Sequence, residues 1–149
     1  MKHKTFTRSL LMAVVAAAMV LQLQTGSWAQ EKKMHRVVFE VTTEGESQWE
    51  ATLNNVENLQ KAFGKDSTEI EVVAHGKGLG LLKKTNTALK DRIAAIARSP
   101  ARFVACENTM RRMQVKKEDL LPEAGTVDSG VAEVVRKQEA GWSYIKSGS

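Results

Sequence analysis

From Arg36 onward, short β-branched runs give way repeatedly to stretches in which apolar residues recur every three or four positions. The first rhythm is that of strands covered on both faces, the second that of amphipathic helices. Arg36 to Thr43 predicts a first strand. Ser47 and Glu50 then have the form of a capping box. Behind them Trp49, Leu53, Val56, Leu59 and Phe63 make one apolar stripe, closed by Gly64. Glu69 to His75 predicts a second strand, which stops at the glycine-rich turn Gly76 to Gly80, and Leu79, Leu81 and Leu82 begin a short helical or irregular segment. A helix opened by Thr87 presents Leu89, Ile93, Ile96 and Ala97 to the core and halts at Ser99-Pro100. Ala101 to Ala105 predicts the third strand. A helix begins at Cys106, with Met110 and Met113 as its inward contacts. Gly125 to Val127 is a weak fourth strand. Asp128 or Ser129 caps the last main helix, whose face is Val131, Val134, Val135 and Gln138, ended by Gly141. Trp142 to Ile145 suits a short final strand.

Strands alternating with helices imply parallel pairing and crossovers over a shared sheet. The expected fold is α/β, a three-layer sandwich around a four- to five-stranded, mainly parallel sheet. It forms one domain over residues 36–146, with residues 30–35 as a flexible lead-in. Sheets of this kind bind and react at the carboxyl ends of their strands, where the strand order reverses.

The N-terminus follows another logic. Lys2, Lys4 and Arg8 precede a nearly unbroken apolar run from Leu10 to Leu23, and Ser27 and Ala29 offer small side chains at signal-peptidase spacing. This predicts an export signal over residues 1–29, cleaved after Ala29, and a periplasmic mature protein. The run is shorter than the roughly 20 residues a spanning helix needs, so membrane contact is expected only through the signal before cleavage. The signal holds three of the 22 basic residues and none of the 17 acidic ones, so the +5 of the 149-residue chain falls to +2 for the remainder. That small, dispersed surplus argues against a nucleic-acid partner.

Candidate chemistry centres on Cys106, the single cysteine, at a strand-to-helix junction. It either packs, reacts, or pairs with another molecule. A helix N-terminus lowers a thiol pKa, and the backbone N–H groups of Asn108 and Thr109 are the predicted thiolate donors. The carboxylate of Glu107 opposes them. His75 falls just past the carboxyl end of the second strand, on the same sheet edge as Cys106, and is an accessory catalytic candidate or an ordinary strand-end residue. Gly76, Gly78 and Gly80 lack the spacing of a phosphate loop, so no nucleotide or other cofactor is expected. With His3 in the signal and His35 in the lead-in, no metal site is expected. Trp49, Phe63 and Trp142 read as core.

These residues, V-V-A-H-G-K-G-L at 72–79, F-V-A-C-E-N-T-M-R-R-M at 103–113, D-L-L-P at 119–122 and the Gly-Trp tail at 131–145, give the chain a pattern that resembles the DsrE/DsrF-like family of sulfur relay proteins. The resemblance spans about Arg36 to Lys146. It implies a five-stranded parallel sheet of YchN-like topology and a homo-oligomer, trimeric or hexameric. It also implies a sulfur carrier or sulfurtransferase, with a persulfide on Cys106 and a sulfur donor or acceptor protein as partner. Glu107-Asn108-Thr109 follows the cysteine here, where the relay members have small apolar residues. The alternative expectation is a non-catalytic oligomeric binding or scaffold module with a structural or redox-sensing cysteine.

Overall fold

The computed structural model describes residues 33–147. The predicted signal and its cleavage point fall outside the described residues, as do positions 30–32 of the lead-in. No helix among the described residues is long and apolar enough to cross a membrane. Five strands, β1 (His35–Val41), β2 (Thr68–Ala74), β3 (Ala101–Cys106), β4 (Ala124–Val127) and β5 (Ser143–Ser147), form one sheet in the order β4-β3-β2-β1-β5. All four pairings are parallel. The helices are α1 (Glu46–Phe63), α2 (Lys90–Ile96), α3 (Glu107–Arg112) and α4 (Gly130–Glu139). The glycine-rich turn is a 3₁₀ segment over Gly76–Leu82.

The pleat divides the core in two. Val37, Phe39, Val41, Ile70, Val72, Ala74, Phe103 and Ala105 face one side, where they meet Leu53 and Val56 of α1, Ile93 of α2, Met110 of α3 and the leucines of the 3₁₀ segment. Full burial of such side chains contributes about 1.5–3 kcal/mol each. Val38, Val73 and Val104 face the other side, covered by Val134 of α4 and by Trp142. Three connections thus cross one face and only α4 crosses the other, returning from β4 over β2 and β1 to reach β5.

Charge helps hold that lone helix. Glu71, buried in the middle of β2, accepts Lys137 Nζ at 2.9 Å and Arg102 Nη2 at 3.2 Å. Lys137 also lies 4.2 Å over the Trp142 ring. Burial lifts the Glu71 carboxyl above its usual range, against the bond from Lys137.

Several local expectations need correction. The first helix is capped by Gly45, at φ +119°, with no side-chain cap, so Ser47 and Glu50 do not form a capping box. Glycine supplies the left-handed turn that Ser47, already helical, cannot. Phe63, the last residue of α1, is half-exposed, its ring stacked on His35 at 3.9 Å. Thr87 does not open α2. Asn86 bridges instead, donating to the Leu81 carbonyl and accepting from the Leu89 N–H. Met113 follows the end of α3 and faces solvent, as do Val131, Val135 and Gln138, leaving Val134 as the inward valine of α4. Ser129, not Asp128, caps α4, and Asp128 pairs with Arg136 instead.

Candidate functional site

The chain leaves β3 toward α3 on one face of the sheet and leaves β4 toward α4 on the other. Cys106 closes β3 and stands at that divergence, paired in register with Val127. Its side chain shares a face with Val104, so it points toward α4. Only 4% of Cys106 is exposed, and it has no disulfide partner.

Burial pushes the Cys106 thiol up. Hydrogen bonds from the Gly130 N–H, the Thr109 hydroxyl, and the Thr109 and Asn108 N–H groups outweigh it, and the thiol sits below its ordinary value. The six-residue α3 has little macrodipole, so local donors do most of this. Thr109 is buried and links two segments, because its hydroxyl also accepts from the Gly76 N–H at 3.0 Å. The Asn108 N–H is shared with the Asp128 carbonyl, and the Asn108 side chain accepts from Arg111. Glu107 lines a separate pocket of about 570 Å³ with Arg111, Gln114, Lys116 and Lys117.

His75 follows Ala74, which pairs with Ala105, so His75 just past β2 and Cys106 at the end of β3 lie side by side at the carboxyl ends of adjacent strands. Gly130 comes between them. Its N–H reaches the sulfur, and a Cβ added to it would lie 2.9 Å from His75 Cβ and 3.0 Å from Cδ2. The glycine turn leans harder still on β1: a Cβ at Gly78 would come within 2.1 Å of the Val41 carbonyl oxygen. No hydrogen bond joins His75 to the thiol among the described residues. The ring instead sets Nε2 2.8 Å from Glu40 Oε1, and the Tyr144 hydroxyl donates to Glu40 Oε2. Burial raises the Glu40 carboxyl, but the bonds from Tyr144 and His75 prevail and hold it below its usual range. The same bond pushes Tyr144 up to about 12. No cluster of His, Cys, Asp or Glu among the described residues could hold a metal ion.

Cys106 ends β3, His75 directly follows β2 and Glu40 is the penultimate residue of β1, so these three line the carboxyl edge, while Tyr144, near the start of β5 and opposite Val38, reaches Glu40 from the neighbouring strand. Sequence reasoning found the first two and both amide donors. It passed over Glu40, Tyr144, Gly130 and the Thr109 hydroxyl. A carboxylate within the apolar run Val37-Val38-Phe39-Glu40-Val41 was the available signal for Glu40.

The DsrE/DsrF-like family model matches residues 36–147. The chain belongs to the DsrE/DsrF-like family. Among solved structures, a protein of unknown function from Methanobacterium thermoautotrophicum is similar at 35% identity and a TM-score of 0.71. The match covers 75% of this chain and 98% of that one. No curated protein matches. Within this DsrE/DsrF-like chain, Cys106 closes β3 and His75 immediately precedes the glycine-rich turn.

Proposed function

We propose that this protein is a periplasmic sulfur carrier of the DsrE/DsrF-like type, holding a persulfide on Cys106. Membership in a sulfur relay family supports the general reading. The observation that carries the specific one is the position of Cys106 at the junction of β3 and α3, where Gly130, Thr109 and Asn108 hold the thiol below its ordinary value and so favour the nucleophilic thiolate. In the loading step the thiolate attacks the outer sulfur of a sulfane donor. A new S–S bond forms on Cys106, the donor's S–S bond breaks, and the donor's inner sulfur leaves with the electron pair. No external oxidant or reductant is consumed. The predicted export segment supports a periplasmic setting, and the partners are a sulfur donor or acceptor protein and further copies of this chain.

Incubation with thiosulfate or polysulfide followed by intact mass measurement tests the reading. The expected result is an adduct of about 32 Da, one sulfur atom, absent from Cys106→Ser. A native chain that gains no mass overturns it. Native mass measurement also reads the trimer or hexamer expected of the assembly.

The 4% exposure of Cys106 favours a second reading, a non-catalytic binding or scaffold module in which the thiol is a packed filler. Labelling kinetics separate the two. A carrier is modified by a small thiol reagent far faster than the protein unfolds globally, whereas a filler is modified only at the unfolding rate.

A further inference from the structure

The carrier reading leaves Glu40 and Tyr144 unused. Glu40 is mostly buried, and both of its oxygens are occupied, one by His75 and one by Tyr144. An ionised carboxylate accepts hydrogen bonds and donates none. Its contact with Nε2 therefore requires the ring hydrogen on Nε2. A neutral imidazole carries one N–H, so Nδ1 is left with its lone pair. Nδ1 has no hydrogen-bond partner among the described residues. The ring is not committed to Cys106 either, because Gly130 stands between them and the donors around the sulfur favour its thiolate without help from an imidazole.

We propose that Glu40 and Tyr144 are positioning residues that hold His75 as a proton acceptor at Nδ1, and that the proton it takes is that of an incoming thiol to which Cys106 delivers sulfur. This rests on the carrier reading above. A free thiol has a pKa near 8.5 and arrives mostly protonated at neutral pH, so it must lose its proton to become a nucleophile. In the discharge step the thiol proton passes to Nδ1 while the thiol sulfur attacks the outer sulfur of the protonated persulfide. The bond between the two persulfide sulfurs breaks, and the inner sulfur returns to Cys106 as a thiolate. The acceptor leaves as a neutral persulfide. One imidazolium and one thiolate remain, so charge balances. The charged and titratable groups around the ring and its partner are Glu40 from β1, Tyr144 and Lys146 from β5, and Cys106 from β3. The residue of α4 against the ring is the uncharged Gly130.

Two measurements on the full chain test this. Nitrogen NMR of histidine-labelled protein reads the tautomer directly. The expected native spectrum has Nε2 protonated and Nδ1 bare. Glu40→Gln, whose amide can donate or accept, is expected to give a tautomer mixture. Rapid mixing of the persulfide-loaded protein with glutathione reads discharge. Positioned acid–base groups contribute about 10²–10⁴-fold, so Glu40→Gln is expected to slow discharge at least ten-fold relative to loading, with partial recovery in Glu40→Asp. An Nδ1–H ring in the native protein, or native discharge in Glu40→Gln, overturns the proposal. Failure of native Cys106 to gain sulfur overturns instead the carrier reading and the transfer step built on it, while the tautomer is still read by NMR.

Discussion

Thr109 has two obligations at once, donating to Cys106 and accepting from the Gly76 N–H. Thr109→Val keeps the shape and removes both. It is expected to raise the thiol pKa, read as ultraviolet thiolate absorbance against pH. Leaving a buried N–H unpaired is expected to cost about 1–3 kcal/mol in denaturant unfolding. Thr109→Ser restores the hydroxyl and is expected to recover the thiol pKa. Gly130 offers a second test at this scale. Gly130→Ala forces a methyl against the His75 ring and is expected to destabilise by about 1–3 kcal/mol, shifting the ring resonances in NMR. The cysteine, the histidine and the two amide donors could be placed from sequence because strand ends and helix starts leave local signatures. Glu40 and Tyr144 could not be joined that way, being 104 residues apart in sequence and brought together only by the pairing of β1 with β5.

Among the elements, α1 and α4 behave differently because they cover unequal faces. Leu53 on α1 is sealed within the larger core, and Leu53→Ala is expected to cost about 2–5 kcal/mol. Val135 on α4 faces solvent, and Val135→Ala is expected to change stability by no more than about 0.5 kcal/mol. The same inequality decides how legible the helices were. In α1 the three-and-four spacing identified Leu53 and Val56 correctly, since a deep core rewards every apolar residue turned toward it. In α4 Val134 was placed correctly, but Val131 and Val135 misled. That helix is also held by Lys137 on Glu71 and Trp142, and a lysine in the polar part of a helical pattern gives no hint that it anchors the segment. The strands were the most readable elements because β-branched runs bounded by Gly, Pro and polar residues admit few other structures.

For the molecule as a whole, acid stability is the informative quantity. The Glu40 carboxyl is depressed in the folded protein, so the folded chain binds fewer protons there than the unfolded one. Its stabilisation is fully present above the ordinary value of 4.5 and is lost as pH falls through the folded value. Glu71 has the opposite sign, because its raised carboxyl keeps its proton longer in the fold, and its contribution becomes less favourable as pH rises from 4.5. Melting temperature measured against pH checks both. Glu40→Gln is expected to flatten the acid limb, and Glu71→Gln is expected to gain on the native protein as pH rises through that window.

The strand order has a consequence for biosynthesis. Tyr144 belongs to β5, which is synthesised after the other four strands of the sheet, yet it lodges beside β1. A message truncated before Ser143 would still encode Cys106 and every donor around it, but the partial product would display an unpaired edge at β1 and a Glu40 without its phenol. Only a chain translated through β5 can supply the hydroxyl that Glu40 accepts from.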